Sequence, residues 1–453
     1  MALIITNVRL VHTNHLWRLE CSAGRVSSVQ CLAGEDHGPA DIDAQGSLIL
    51  PSLCHSHIHL DKCFILDRCQ LVTGDFSEAM QVTNQAKASF EPEDLYQRGY
   101  KLIRDSLECG VTSMRAHVEI DTTVQLSCLH VGLKLCNVFR DICDIQTFLL
   151  ILILNGPAFA QEPLFDAPNT SEPGMNYTLL VQAAETEGVQ VVGSAPYVEP
   201  TAAQAKTNIA LVLRLALKLG CHVDFHLDYN LDPGSEPLIF AVIAQAKMNS
   251  WPSELKITIG HATRMQLFTP SQWSDLVAAI GQLPIVFVGL PQSDMYMLGR
   301  KDADAVLGPP RSTLRIPYIA NKYNIHMAMS VNNVQNAFTP QGSVDPLSLC
   351  TLGVALFQSA TPKDLATLLR SVTLTSKQAI AQKEVHEDLC VTVNDPADFV
   401  ILHGTHNLVS AVLCPTYDRT TIRAGVVVAK RHATKWFADT NAEDSEVAAV
   451  DRE

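Results

Sequence analysis

Histidines cluster directly after an apolar stretch near the start of the chain, and their spacing suits metal chemistry. The cluster is His55, His57 and His59, and it follows the run Leu48 to Pro51. Alternate side chains of a β-strand point to one face, so His57 and His59 are expected to lie side by side. Zinc and iron bind neutral imidazole nitrogen readily. The stretch therefore predicts two ligands of a metal site on one strand.

Further histidines end later apolar segments that are typical of strands. His117, His226 and His261 each end such a segment, and another segment ends in the run Ser330 to Asn333. Any one of them could be an ordinary core or surface histidine, but the ordered set is typical of a site assembled at strand ends. We therefore expect these residues to meet in the folded chain.

The elements that would bring them together alternate between apolar strands and amphipathic helices. Helical periodicity is clear in Pro92–Glu108, Asn176–Glu187 and Ala202–Leu219. With the strand of His57 and His59 the predicted strands number eight, the others being Thr112–Val118, Thr147–Leu154, Gln190–Gly193, Cys221–Leu227, Lys256–His261, Ile285–Val288 and His326–Ser330. Eight strand–helix units in series predict an α/β fold, the (β/α)8 TIM barrel, whose active site lies at the carboxyl ends of the strands.

Both ends of the chain contain short predicted strands instead. They are Ile4–Val11, Arg18–Cys21, Val26–Cys31 and Ser47–Leu50 at the amino end, and Ala397–Leu402, Val409–Leu413 and Gly425–Ala429 at the other. We expect residues 1–50 and 390–430 to form one small β-sandwich domain and residues 51–389 to form the barrel. Residues 437–453 are expected to be a frayed acidic tail.

Composition excludes several classes of protein. Of 453 residues, 47% are hydrophobic and 18% are charged, which is typical of a chain with a large buried core. The net charge of −14 excludes non-specific nucleic-acid binding, which requires clustered basic residues. The longest apolar run, Phe148 to Leu154, is far shorter than the roughly 20 residues that span a bilayer. We expect a small-molecule substrate and no nucleic-acid or membrane partner, with a homo-oligomer left open.

The number and spacing of the cysteines indicate the redox state of the cellular compartment. The 13 cysteines contain no Cys-x-x-Cys pair, which favours reduced thiols over a disulfide framework. The amino end lacks the basic and apolar regions of a signal peptide. Together these features predict a cytoplasmic protein.

Several sequence strings together resemble the amidohydrolase superfamily, and most closely its cytosine deaminase branch and the related triazine-ring aminohydrolases. The strings are HIHLDK at His57–Lys62, GVTSMRAHVE at Gly110–Glu119, Gln161-Glu162, VVGSAPYVEP at Val191–Pro200, DFHLD at Asp224–Asp228, GHATRM at Gly260–Met265 and LGR at Leu298–Arg300. The resemblance covers roughly residues 1–430.

The resemblance implies roles for individual residues. His57, His59 and His226 would be three imidazole ligands of a single divalent metal ion, zinc or iron. His261 would orient and polarise the metal-bound water, and Gln161 would bind an edge of the substrate ring. We also expect His117 and Lys62 to contact the substrate.

Two acids of the superfamily are replaced in this chain. The last barrel strand of the family supplies an aspartate that binds the metal and takes the proton from water, whereas this chain has Asn332. A glutamate three residues after the fifth-strand histidine carries a proton to the substrate, whereas this chain has Tyr229. Asparagine is uncharged and cannot accept water's proton at neutral pH, and three neutral imidazoles leave a dication uncompensated. We expect Asn332, Tyr229 and His261 to form an altered catalytic set.

Other charged residues near strand ends could carry the proton instead. They are Asp228, Glu119, Asp61 and Lys62, although each is also typical of an orienting residue or a loop salt bridge. Asp228 completes the predicted catalytic residues.

Three hypotheses for function follow. The first is metal-dependent hydrolysis of a C–N bond in a small cyclic amide, amidine or amine-bearing ring, because a metal ion can lower the pKa of bound water to about 7. The second is a non-hydrolytic cyclisation, elimination or isomerisation that uses Tyr229 and His261, with or without a metal. The third is an inactive ligand-binding protein. The metal content of the purified protein separates the first hypothesis from the others.

Overall fold

The computed structural model describes residues 2–146, 156–299, 311–434 and 436. The predicted strand Thr147–Leu154 and the predicted acidic tail, residues 437–453, lie outside these residues. The strands of the described part are β1 (Leu3–Arg9), β2 (Leu16–Ser22), β3 (Arg25–Cys31), β4 (Ile42–Asp43), β5 (Leu48–Pro51), β6 (Leu53–His59), β7 (Val111–His117), β8 (Asp144–Ile145), β9 (Gly156–Ala160), β10 (Val189–Ser194), β11 (His222–Leu227), β12 (Ile257–His261), β13 (Ile285–Gly289), β14 (Met327–Met329), β15 (Phe399–Leu402), β16 (Arg419–Arg423) and β17 (Val426–Arg431).

Helices separate most of the central strands. They are α1 (Phe76–Lys87), α2 (Pro92–Glu108), α3 (Ser127–Phe139), α4 (Met175–Ala184), α5 (Ala202–Leu219), α6 (Ile239–Met248), α7 (Pro270–Ile280), α8 (Pro291–Met297), α9 (Ile316–Tyr323), α10 (Pro346–Leu356), α11 (Pro362–Val372), α12 (Leu374–Ala379) and α13 (Leu408–Leu413). None of the described helices is long and apolar enough to cross a membrane.

Two parallel sheets occupy the middle of the chain. One has the strand order β14-β13-β12-β11-β10-β9, and the other has the order β6-β7-β8. Single β-bridges between Ile58 and Asn332 and between Glu119 and Phe159 link the two sheets. Parallel strands need crossover connections, which the helices supply. The chain is therefore a mixed α/β protein with parallel sheets, as the alternation of strands and helices predicted.

Local signals explain why the elements begin and end where they do. The α5 helix has its predicted bounds because the Thr201 side chain accepts a hydrogen bond from the Gln204 N–H at 3.2 Å. It ends at Gly220, whose φ of 68° is the left-handed conformation that glycine adopts without strain. The strands β7, β11 and β12 lie within one residue of their predicted bounds, so each ends at or next to its site histidine.

Strands from both chain ends share one sheet. Its order is β17-β16-β15-β5-β1-β2-β3, with β4 paired to β1, and Val400 of β15 lies opposite Leu50 of β5 in antiparallel register. One predicted strand here, Val409–Leu413, is wrong, because these residues belong to α13. The Asn407 side chain caps that helix by accepting from the Ser410 N–H at 2.9 Å. A short apolar run cannot by itself distinguish a strand from a buried helix.

Candidate active site

The histidines of β6 and β11 come together at the carboxyl ends of the parallel strands. Every residue of β6 is buried. The ring centroid of His57 lies 5.5 Å from that of His59 and 4.4 Å from that of His226. The His59 and His226 centroids are 5.5 Å apart. The structure thus brings the three predicted metal ligands into one cluster.

The segment after β14 places Asn332 next to His57 and His59. Its N–H donates to the His57 carbonyl at 3.1 Å, and its carbonyl accepts from the His59 N–H at 2.8 Å. Its φ of 70° is in the left-handed region, which asparagine enters more readily than most residues. The Asn332 Nδ2 donates to Ser293 Oγ at 2.7 Å. The side-chain oxygen Oδ1 is buried and has no hydrogen-bond partner among the described residues.

The electrostatics of the histidine cluster suit a metal ion. Burial lowers the pKa values of His57, His59, His117 and His226 well below the usual value, because a charged ring would lose its hydration. Neutral imidazoles are the form that binds metal. Within the described part of the chain, both nitrogens of His57 and His117, Nδ1 of His59 and Nε2 of His226 are buried without a hydrogen-bond partner. Leaving buried polar atoms unpaired is costly, so this donor set fits a divalent ion.

A second set of possible ligands overlaps the predicted one. Ligand atoms of His57, His117, Asp224 and His226 all lie within 4.8 Å of one another. This set contains His117 and Asp224 in place of His59. The Asp224 Oδ2, however, is held in a buried ion pair by Arg115 Nη1 at 2.7 Å. That pairing compensates the negative charge that would otherwise make Asp224 a strong ligand.

A small cavity lies above the histidines. Its volume is about 10 Å³, roughly the room that one water molecule needs. It is lined by His59, Lys62, Phe76, Gln161, Tyr197, His226, Tyr229, His261, Asn332, Asn333 and Phe338. The lining joins imidazole, cationic, amide and aromatic side chains at one place.

Lys62 connects this cavity to a buried network of charges. Its Nζ donates to Glu119 Oε1 at 2.5 Å and to Gln161 Oε1. The other Glu119 oxygen accepts from Lys87 Nζ at 2.8 Å, and Lys87 also donates to Asp121 at 2.7 Å. Burial raises the pKa of Glu119, but the two lysines outweigh burial and bring it down to about 2. Glu119 is therefore a charged partner that fixes both lysines.

His261 and Tyr229 form another part of the cavity wall. Their ring centroids are 3.9 Å apart, and the Tyr229 hydroxyl donates to the Ser293 carbonyl at 3.1 Å. Burial raises the pKa of Tyr229 well above its usual value. The Nδ1 of His261 is 2.8 Å from Asp294 Oδ1, and Asp294 Oδ2 accepts from Thr313 Oγ1 at 2.6 Å. The Asp294 carboxylate thereby fixes the Nδ1 side of the His261 ring.

Three predicted site residues, His57, His117 and Asp228, do not line the cavity, and neither do the predicted proton carriers Asp61 and Glu119. The Asp228 carboxylate accepts from the Leu238 N–H at 2.9 Å beside α6, and burial raises its pKa to about 7. The Asp61 carboxylate accepts from the Glu119 N–H at 2.7 Å, and burial raises its pKa to about 6. His117 lies under His57, with ring centroids 4.1 Å apart.

Sequence reasoning missed several residues of the site. Asp224 and Arg115 stand two residues before His226 and His117, so the two-residue period of a strand would have placed each beside its histidine. Asp294 had no such signal, because it lies in α8 and contacts His261 only in the folded chain.

Solved structures share this fold. The crystal structure of 5-methylcytosine deaminase from Klebsiella pneumoniae liganded with 5-fluorocytosine is 25% identical, with a TM-score of 0.83, covering 97% of this chain and 100% of that chain. N-isopropylammelide isopropylaminohydrolase from Burkholderia multivorans is 20% identical, with a TM-score of 0.75, covering 96% and 100%. A mutant of atrazine chlorohydrolase from Arthrobacter aurescens, complexed with zinc and atraton, is 12% identical, with a TM-score of 0.64, covering 99% of each chain.

These neighbours are hydrolases of the amidohydrolase superfamily, and the chain has their fold. Within the superfamily its similarity is to the cytosine deaminase and triazine hydrolase branch, which confirms the resemblance seen in the sequence. The neighbours include deaminases and aminohydrolases that act on C–N bonds, which confirms the predicted enzyme class. No protein-family profile and no curated protein sequence matches the chain.

Proposed function

We propose that the chain is a metal-dependent hydrolase that cleaves a C–N bond of a small cyclic amide, amidine or amine-bearing ring. The observation that carries the proposal is the cluster of buried, neutral histidines with unpaired nitrogens under a cavity at strand ends. The neighbours that process cytosine and triazine rings support the same reaction class. No comparison supports a non-hydrolytic reaction or an inactive binding protein.

We assign the metal, zinc or iron, to His57, His59 and His226. His59 and His226 line the cavity, and a hydrolytic metal must be reached by substrate. His57 does not line it, but its ring centroid lies 5.5 Å from that of His59 and 4.4 Å from that of His226, which supports one shared ion. His117 and Asp224 do not line the cavity, and Asp224 is paired with Arg115. Bound there, the ion would lower the pKa of a water molecule to about 7. His117 would then support His57 from below rather than touch substrate.

Lys62 and Gln161 would orient the ring. Lys62 is fixed by Glu119 and donates to Gln161, so both side chains reach the cavity in a defined geometry. A lysine cation suits a carbonyl or ring-nitrogen acceptor of the substrate. The aromatic side chains of the lining suit a flat ring and exclude bulk water.

His261 would hold the proton that Asn332 cannot accept. Its ring lines the cavity, and Asp294 occupies its Nδ1, which leaves Nε2 for the cavity. Tyr229 would act mainly through its ring, because its hydroxyl is bound to the Ser293 carbonyl. Asp228 would orient the loop before α6 rather than transfer protons.

The architecture follows the same proposal. We propose that the two parallel sheets close into a (β/α)8 barrel through the bridges at Ile58 and Glu119, with the sheet of both chain ends forming a β-sandwich domain. The domain bounds remain those expected from the sequence, residues 1–50 with 390–430 and residues 51–389. A cytoplasmic location remains part of the proposal.

The test is an assay of the purified protein loaded with zinc or iron. Cytosine, 5-methylcytosine and N-isopropylammelide are incubated with the protein, and released ammonia or isopropylamine is measured together with bound metal. Turnover that disappears on chelation and returns with metal supports the proposal. Conversion that does not add one water molecule across a C–N bond of the substrate, or turnover by metal-free protein, contradicts it.

A further inference from the structure

Two adjacent residues after β13 hold three residues of the site. The Ser293 carbonyl accepts from the Tyr229 hydroxyl at 3.1 Å, and Ser293 Oγ accepts from Asn332 Nδ2 at 2.7 Å. Asp294 Oδ1 is 2.8 Å from His261 Nδ1. Tyr229 and Asn332 are the two positions where this chain departs from the superfamily pattern. The Ser293-Asp294 pair therefore supports the altered part of the site.

We propose that Asp294 is the positioning residue of His261. An ionised carboxylate only accepts hydrogen bonds, so with Asp294 ionised the contact places a proton on His261 Nδ1. In the neutral ring the other nitrogen, Nε2, is then an acceptor, and this ring lines the cavity. The inference rests on the proposed function only in the use made of that acceptor, which is to receive the hydrogen bond of the attacking water.

The surroundings of Asp294 favour a fixed geometry. Asp294 is 0% exposed and His261 is 4% exposed, so the contact is shielded from water, where it is worth more than at a surface. Thr313 Oγ1 donates to Asp294 Oδ2 at 2.6 Å and leaves Oδ1 for the histidine. His261 itself has a φ of 62°, and its ring packs against that of Tyr229 at an interplanar angle of 37°. Backbone, ring and carboxylate together define one orientation of the imidazole.

Asp294 supplies a negative charge beside the site. Asn332 offers an uncharged oxygen where the superfamily has a carboxylate. The Asp294 carboxylate is in contact with His261, so that ring is the one held by a charged group. His261 would therefore be the acceptor for the attacking water.

The tautomer can be observed without any enzyme assay. Protein labelled with nitrogen-15 histidine, in its metal-loaded form, is compared with Asp294→Asn and Asp294→Ala by long-range proton–nitrogen correlation, and His261→Gln identifies the signal. We expect His261 to carry its proton on Nδ1 in the natural protein and to lose that preference in Asp294→Ala. A proton on Nε2 in the natural protein, or the same tautomer in Asp294→Ala, overturns the proposal.

Kinetics test the consequence. Asp294→Ala is expected to lower kcat by about 100-fold or more, the scale of acid–base assistance, with KM and metal content little changed. Formate should restore part of the lost kcat by replacing the carboxylate. Asp395→Ala is the matched control and should leave kcat unchanged, because it removes a carboxylate beside another buried histidine, His386, which does not line the cavity. An unchanged kcat in Asp294→Ala overturns the role, whereas an inactive natural protein with the expected tautomer contradicts only the proposed function.

Discussion

Asn332 donates its side-chain Nδ2 to Ser293 Oγ at 2.7 Å, which turns its Oδ1 away from that serine. Ser293 Oγ is also 2.5 Å from Thr339 Oγ1, and either hydroxyl of that pair can donate. The serine hydroxyl could therefore donate to a carboxylate at position 332 by rotating its hydrogen. The surroundings of Asn332 thus admit an aspartate without rebuilding the site.

Asn332→Asp is expected to tighten metal binding, because an anionic oxygen compensates a dication better than an amide oxygen does. The measurement is the rate at which a chelator removes zinc from the loaded protein, which should fall at least several-fold. Asn333→Asp is the matched control, because it adds the same charge at the next residue. The Asn333 side chain accepts a hydrogen bond from the Asn336 side chain. Equal effects of both substitutions would argue against coordination at position 332.

The double substitution His57→Ala with His59→Ala should abolish bound metal while the chain stays folded. His117→Ala should retain about one ion per chain, because we place His117 below the metal rather than on it. Metal analysis gives the content, and circular dichroism checks the fold. Since His57 belongs to both sets, the single variant His59→Ala separates them. Loss of metal in His117→Ala with retention in His59→Ala would instead favour the set that contains Asp224.

Tyr229→Phe removes only the hydroxyl that binds the Ser293 carbonyl and keeps the ring packed against His261. We expect kcat to fall less than about 10-fold, whereas Tyr229→Leu, which removes the aromatic ring, should lower kcat further. Steady-state kinetics on the active ring substrate provides the measurement. A loss of about 100-fold or more in Tyr229→Phe would assign proton transfer to the hydroxyl.

Glu119→Gln is expected to lower the free energy of unfolding by about 3–5 kcal/mol, because it leaves two buried lysines without their shared charge. Lys101→Met, at an exposed ion pair with Asp105, is the control and should change little. Urea unfolding at pH 7 measures both. A change below about 1 kcal/mol for Glu119→Gln would show that the network adds nothing to stability.

The same carboxylate predicts a pH dependence. The pKa of Glu119 is about 2 in the folded chain and 4.5 as the ordinary value. The folded state therefore binds the proton less readily, so its contribution to stability is complete above pH 4.5 and is lost as the pH falls toward 2. Unfolding free energies measured between pH 5 and 2 should fall more steeply in the natural protein than in Glu119→Gln. Parallel slopes would contradict the pKa assignment.

The features of the fold and site that depend only on neighbouring residues could be predicted from the sequence. The facing of His57 and His59 is a property of any strand, and Thr201 and Gly220 marked the ends of α5 by their own chemistry. The contact of Asp294 with His261 depends on how α8 packs beside β12, which no local period encodes. The wrong prediction of a strand at Val409–Leu413 has a similar cause, because the conformation of a short apolar run is decided by its tertiary contacts.

Phe76, the first residue of α1, stands over the cavity against three other rings. Its centroid lies 6.2 Å from Tyr197, 5.8 Å from Tyr229 and 5.9 Å from Phe338. In this conformation the cavity has room for about one water molecule, so a ring substrate requires these side chains to move apart.

Only molecules in which the rings have moved apart can bind substrate, so the apparent dissociation constant is raised by the reciprocal of their fraction. The aromatic side chains around Phe76 thus lower the affinity for substrate and, in the same conformation, keep bulk water away from the histidines.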